Sequence, residues 1–413
     1  MHPEDFEASL AGRCIRTPRG YWAFVPHPLP PSLELNWSLV RLLSEADRAL
    51  SELAGAGRLL PNPHLLIGPY MRREAVLSSR IENTQAGMGD LFFFEADETE
   101  PPKAPDVREV ANYVQALDYG LTRLQELPIS TRLVREIHER LMAGVRGEYG
   151  TPGEFRRSQN WIGPPGCTLH DATYVPPPVD EMHEALSAWE KYLHTEADEP
   201  LLVQCALMHY QFEAIHPFLD GNGRVGRLLI PFFLCERGAL SQPLLYLSAF
   251  FERYRDEYYH RLLAVSQTCN WRGWLEFFLR GIAIQAKEAL LGANQILDLH
   301  ARYRGMLGTK RVPQAALRLL DQLFINPVVS VGRLAQAWHL PFPTVQKGVT
   351  RLVDLKILTE VTGQRRHRLF VAHELLAMLI PGADRLEREE PPNIPNALTC
   401  YNTFANYEKL KEG

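Results

Sequence analysis

One turn, HPFLDGNGRVGR (His216–Arg227), lies between two apolar segments and constrains everything built around it. LLVQCALMHYQFEAI, within residues 200–215, has the helical spacing that delivers His216. Pro217 biases His216 toward extended backbone, so that helix should end at or just before the histidine. The next helix starts within GNGR, with a kink expected at Pro231 and a stop at Gly238. Polar groups are thereby fixed between two buried helices.

The residue types in the turn suit a triphosphate. Gly221 and Gly223 let the backbone turn tightly and approach a ligand. The N–H groups around Asn222 and Gly223 then open a helix, where they and the dipole attract an anion. Arg224 and Arg227 are three apart and reach oxygens from one face. Asp220 is a hard oxygen donor of the kind Mg²⁺ uses beside phosphates. His216 is the nearby group suited to taking a proton near neutral pH. Base, metal ligand, anion cradle and arginine clamp describe nucleotidyl or phosphoryl transfer. Other readings fail on context. GNGRVG satisfies GxGxxG but follows a helical segment rather than a strand. No GK dipeptide supplies a Walker loop, and HERLM at His138 and HEALS at His183 lack the second histidine of HExxH.

Around the turn the chain reads as all-α up to about residue 310. Residues 1–35 are Pro-rich and predict an extended arm, with Tyr21, Trp22 and Phe24 seeking burial. Helical periodicity covers 36–53, 69–84, 107–125, 131–143, 180–195, 248–266 and 271–300. GMGDLFFFEADETEPPKAP reads as a loop, and 144–180 as a long Gly/Pro-rich loop of the kind that carries function. Beyond 310 the pattern changes: helices at Gln314–Phe324, Val331–His339 and Pro343–Leu355 precede a hairpin turning at Gly363. That order predicts a winged helix-turn-helix. The domains expected are therefore 1–105, 106–300 and 310–380, followed by a tail at 381–413.

Composition bounds the rest. The six cysteines are scattered without a CxxC pair, which fits a reducing compartment and excludes a zinc ribbon. The N-terminus lacks an apolar signal core and no apolar run spans a bilayer, so a cytoplasmic location is expected. Net charge of −5 excludes a chain that coats nucleic acid throughout.

His216, Phe218, Asp220, Gly221, Asn222, Gly223, Arg224 and Arg227 match HxFx(D/E)GNGRxxR without a gap, and the chain resembles the Fic/DOC family. The resemblance implies an all-α Fic fold with a small β-hairpin flap, and transfer of AMP from ATP to a hydroxyl side chain of a target protein. It implies His216 as the base, Asp220 on Mg²⁺ (or Mn²⁺), Gly221–Gly223 as the anion hole, and Arg224 and Arg227 on the outer phosphates. PGEFRRSQNWIG and ATYVPPP are similar to the family's flap, placing Thr173 and Tyr174 against the target. LYLSAFFERYRDEYYHRL resembles the adenine-pocket segment, with Tyr258 and Tyr259 as the base contacts, of which adjacent helical positions permit one.

SSRIEN (Ser78–Asn83) matches the family's inhibitory pattern (S/T)xxxE(G/N). Ser78 and Glu82 lie four apart on a helix, so the serine can brace the carboxylate. By resemblance, Glu82 pairs with Arg227 and withholds it from ATP. Two other outcomes stay open: AMP removal by water activated on Glu82, and a DNA-binding regulator with a nucleotide-sensing core. The basic residues Arg351, Lys356, Arg365, Arg366 and Arg368 suit DNA or a protein partner, and an isologous homodimer is the default assembly.

Overall fold

The two apolar segments around the turn form the centre of the molecule. In the computed structural model they are α7 (Leu201–Ile215) and α8 (Asn222–Glu236), once α1 (Trp37–Leu59), α2 (His64–Ile81), α3 (Met88–Ala96), α4 (Pro105–Arg123), α5 (Thr131–Leu141) and α6 (Val179–Leu193) have been laid down. Every residue of α7 except Leu201, Gln204 and Glu213 is buried. A helix apolar on all sides must be surrounded, and α7 is. α8 runs unbroken through Pro231, and Gly238 (φ +70°) follows its end. The structure describes residues 1–380 apart from 8, 35, 60–62, 97–104, 146–150, 165, 309–311 and 364–366. Arg365, Arg366 and the tail at 381–413 therefore lie outside the described residues.

The N-terminal arm departs from expectation. It is a hairpin, β1 (Gly12–Arg16) antiparallel to β2 (Trp22–Pro26), with Cys14 opposite Phe24. Phe24 is fully buried, and its N–H donates to Val175 O at 2.9 Å. Gln211 Nε2 donates to His27 O at 3.0 Å, which ties the arm to α7. The prolines that suggested an unpaired arm lie outside the ten paired positions except Pro26, at the strand end where its missing N–H matters least.

A second departure is α3, which occupies part of the expected loop. Leu91 and Phe92 are fully buried, and Asp90 Oδ2 accepts from Gly87 N at 2.8 Å to start the helix. The glycines flanking Met88 mask a buried apolar face. α5 behaves as its pattern predicts: Ser130 Oγ accepts from Leu133 N, and Leu133, Val134, Ile137, His138 and Leu141 face inward.

α9 (Ser248–Arg253), α10 (Arg255–Thr268) and α11 (Trp271–Leu307) complete the body. α11 spans about 55 Å and packs along α1. Its far end meets the C-terminal unit, where His300 Nε2 lies 2.8 Å from Asp321 Oδ1. That unit runs α12 (Gln314–Ile325), β3 (Val328–Ser330), α13 (Val331–Trp338), α14 (Phe342–Asp354), β4 (Thr359–Glu360), β5 (Leu369–Val371) and α15 (His373–Leu379). Its sheet order is β3-β5-β4, all antiparallel. The hairpin was legible in sequence; three-residue β3 was too short to announce itself. Among the described residues, no helix is long and apolar enough to cross a membrane.

Candidate active site

His216 caps α7 at φ 49°, ψ 62°, in the left-handed region rather than the extended one that Pro217 favours. The helix stops where expected, but the backbone is strained and must be held. Arg156 and Asn160 hold it. His216 O accepts from Arg156 Nε at 3.0 Å and Asn160 Nδ2 at 3.2 Å. Arg156 is 1% exposed and spends its remaining donors on Ser158 O and Pro177 O. Both residues belong to the Gly/Pro-rich stretch 144–180. A basic side chain with only carbonyl partners leaves no charge-pair signal in a sequence.

Asn222 closes the turn. Its Oδ1 accepts from Phe218 N and its Nδ2 donates to Phe218 O, both at 2.8 Å. The asparagine side chain is thus consumed by the loop, and it offers a ligand only its backbone N–H. Phe218 is fully buried and stacks on His138 at 3.7 Å. His138 Nδ1 accepts from Gly153 N at 2.9 Å, so Nε2–H donates to Asp220 O at 3.1 Å. His138 is a brace for the loop that the failed HExxH match concealed.

Gly221 has φ +79°, and a Cβ there would lie 2.9 Å from Met142 Sδ and 3.4 Å from the His138 ring. Gly221→Ala is expected to cost about 1–2 kcal/mol from left-handed strain alone. A lowered urea midpoint with an unchanged slope would show this; an unchanged midpoint would contradict it.

The His216 imidazole faces Glu213 O from Nδ1 at 3.3 Å. A carbonyl only accepts, so Nδ1 carries the proton and Nε2 keeps its lone pair. Burial pushes the imidazole pKa down to about 4, and the hydrogen bond to the Glu213 carbonyl opposes this only in part. The ring is therefore neutral at pH 7 and competent as a base.

Arg227 is the most constrained cation of the site, with its side chain 1% exposed. Its Nε donates to Ser78 Oγ at 2.8 Å, while Nη2 donates to Ser78 O at 3.0 Å and Glu82 Oε1 at 2.7 Å. Ser78 was expected to brace the carboxylate. Instead it grips the arginine directly, beside the carboxylate. Burial would raise the Glu82 pKa, but the Arg227 charge and hydrogen bond outweigh it and hold the carboxyl below its usual value. A Cβ on Gly223 would lie 2.5 Å from Glu82 Oε1. The carboxylate therefore rests against the first turn of α8.

Glu82 is the C-cap of α2, and Asn83 follows at φ +66°. Asparagine and glycine are the residues that tolerate this conformation, which explains their place in the pattern. Asn83 Oδ1 also accepts from Arg255 Nη1 at 3.0 Å. Further back, α2 is pinned by buried Glu74, which accepts from Tyr113 OH at 3.1 Å and Ser248 Oγ at 2.5 Å.

Arg224 is 4% exposed and lies 3.4 Å from Glu109 Oε2 and 3.6 Å from Asp220 Oδ1. Glu109, on α4, was not foreseen; Thr84 Oγ1 donates to the same oxygen at 3.2 Å. The Asp220 side chain is 53% exposed. Among the described residues no three His, Cys, Asp or Glu side chains cluster to hold a metal ion. The donor set therefore fits a cation only as Mg²⁺ is commonly held, by one carboxylate with phosphate oxygens.

The two tyrosines separate. Tyr258 is 1% exposed, stacks on Phe251 at 4.4 Å and shares a 2.8 Å hydrogen bond between its hydroxyl and His209 Nε2. It belongs to the core, so its assignment to a base contact is corrected. Tyr259 is 41% exposed, with Arg255 5.8 Å from its ring centroid. The flap closes through one antiparallel bridge, Ile162 with Tyr174. Tyr174 is buried and donates to Ala214 O at 2.8 Å, so it anchors the flap and is not presented to a target. Thr173 remains exposed.

The chain is similar to known proteins. The model described as Fic/DOC family N-terminal matches residues 40–122, and the Fic/DOC family model matches 128–234. Protein adenylyltransferase Fic of Drosophila grimshawi is 32% identical over 169 residues, 40% of this chain and 30% of that protein. The Drosophila yakuba protein of the same name is 31% identical over the same shares. The chain thus spans less than a third of the length of these curated relatives. A crystal structure of a Fic family protein from Desulfovibrio desulfuricans G20 aligns with TM-score 0.53 at 18% identity, covering 83% of this chain and 98% of that one. That likeness establishes the fold.

Proposed function

We propose, from the Fic/DOC family models that match residues 40–122 and 128–234, that the chain is an auto-inhibited protein adenylyltransferase. AMP passes from ATP to a Ser, Thr or Tyr hydroxyl of a target protein or of the chain itself. The observation that carries this reading is the double grip of Ser78 and Glu82 on Arg227 at the mouth of α8. An arginine of the motif already paired with the protein's own carboxylate fits a site held in check.

In the transfer, His216 Nε2 takes the target hydroxyl proton as its oxygen bonds to the α-phosphorus. The bond from the α-phosphorus to the bridging oxygen breaks, and pyrophosphate leaves. The α8 N–H groups face the phosphates, and Arg224 and Arg227 take the outer oxygens once Glu82 withdraws. Mg²⁺ on Asp220 would neutralise phosphate charge. Tyr259 is the ring available to adenine, and Thr173 the flap residue available to the target.

A second reading uses the same carboxylate. Glu82 is held ionised by Arg227 while 36% of its side chain stays exposed, which suits a group that orients water for AMP removal. Transfer and removal separate on Glu82→Gly with α-labelled ATP and a modified substrate. Gain of labelling supports transfer; loss of AMP release by an already active wild type supports removal.

A further inference from the structure

Charge is unevenly divided along the chain. Residues 310–380 hold ten Lys and Arg against four Asp and Glu, a net +6, so the remainder carries −11 and the chain totals −5. The modest overall charge conceals a basic unit on an acidic body.

Within that unit, α13 and α14 are joined by residues 339–341, with His339 in the left-handed region at φ 53°. A three-residue turn between two such helices is helix-turn-helix geometry. α14 buries Val345, Gly348, Val349 and Leu352. Its opposite side exposes Phe342, Thr344, Lys347, Thr350 and Arg351. Lys347 and Arg351 are four apart and share a face. Phe342 is 52% exposed at the start of the helix, where apolar contact with a thymine methyl is made in the major groove. Arg368, leading into β5, donates to Gln346 Oε1 at 3.2 Å and so brings the wing beside α14.

The same helix is braced on the inhibitory machinery. A Cβ on Gly348 would lie 3.2 Å from the Ala315 carbonyl carbon, so α14 and α12 meet backbone to backbone. At the other end of α12, a Cβ on Gly68 of α2 would lie 3.3 Å from Ile325 Cα. Asn326 Nδ2 donates to Phe92 O at 3.0 Å and lies 3.3 Å from Glu95 Oε2, which Arg72 of α2 also holds at 2.7 Å. One rigid helix separates the exposed basic face from the helix that grips Arg227.

We propose that this unit binds double-stranded DNA through α14, and that α12 passes its occupancy to the Ser78–Glu82 end of α2. Only the consequence for AMP transfer rests on the function proposed above; the DNA contact and the response of α2 do not. The test uses the full chain and a fluorescent duplex of about 20 base pairs, two helical turns, read by anisotropy. Binding should weaken steeply between about 50 and 200 mM salt. Lys347→Glu/Arg351→Glu alters two exposed positions and should lower affinity at least about tenfold with an unchanged circular dichroism spectrum. Hydrogen exchange of peptides covering 78–84 should change on adding duplex to wild type and stay fixed in the double variant. No binding at about 50 mM salt, equal competition by polyglutamate, or full affinity in the double variant overturns the DNA contact. Saturating duplex without a change in exchange at 78–84 overturns the transmission to α2.

Discussion

His216→Ala, made in a Glu82→Gly background, lowers AMP incorporation about 10²- to 10⁴-fold, the range typical of a lost general base. Two observations set this expectation. The imidazole is held neutral by burial, with its pKa near 4, and its Nδ1 proton is committed to Glu213 O. Only Nε2 is left to accept. The same facts fix the pH profile. Protonation destroys the base, so activity should stay level from pH 8 to about 5 and fall as pH drops through about 4. A fall centred near 6.5, the ordinary histidine value, would show that the buried neutral imidazole is not the base. The Glu82→Gly background removes the carboxylate that is hydrogen-bonded to Arg227 and whose own protonation would release it.

Glu82→Gly raises incorporation in the opposite direction, by about 10- to 100-fold. The estimate follows from one charge-assisted hydrogen bond of about 1.5–3 kcal/mol, converted at a factor of ten per 1.4 kcal/mol. Three consequences combine. The 2.7 Å bond to Arg227 disappears, the α8 N-terminus loses its internal anion, and Ser78 still orients the guanidinium. Incorporation is read with α-labelled ATP and either Mg²⁺ or Mn²⁺. A folded variant that stays silent with both would rule out AMP transfer at this site.

The parts of the site that a sequence displays are those in which one short segment does the work. His216–Arg227 is such a segment, and so is Ser78–Asn83. Their residue types at fixed spacing imply a base and an anion cradle, and the resemblance to the Fic/DOC family implies a carboxylate beside an arginine. The partners that hold them come from elsewhere in the chain. Arg156 and Asn160 reach the His216 carbonyl, and His138 reaches the Asp220 carbonyl. These contacts run to backbone atoms, which every residue possesses, so no pairing of side-chain types marks them.

Direction was equally hidden. Tyr258 and Tyr259 are chemically alike and adjacent, and only packing against Phe251 and His209 buries the first and leaves the second exposed. Ser78 lies at the right spacing to touch Glu82, yet Arg227 competes for the hydroxyl and takes it. Propensity also lost to context in the fold. Proline-rich flanks concealed the β1–β2 hairpin, and glycines beside Met88 concealed α3, because burial of Phe24, Leu91 and Phe92 decided both.

The central claim is that Glu82 denies Arg227 to the outermost phosphate. Titration calorimetry of ATP and ADP against wild type and Glu82→Gly tests it without any target protein. With Arg227 freed, ATP should gain on ADP by about 10- to 100-fold in the variant, while wild type binds the two nearly alike. Equal gains for ATP and ADP, or no gain for either, would contradict it.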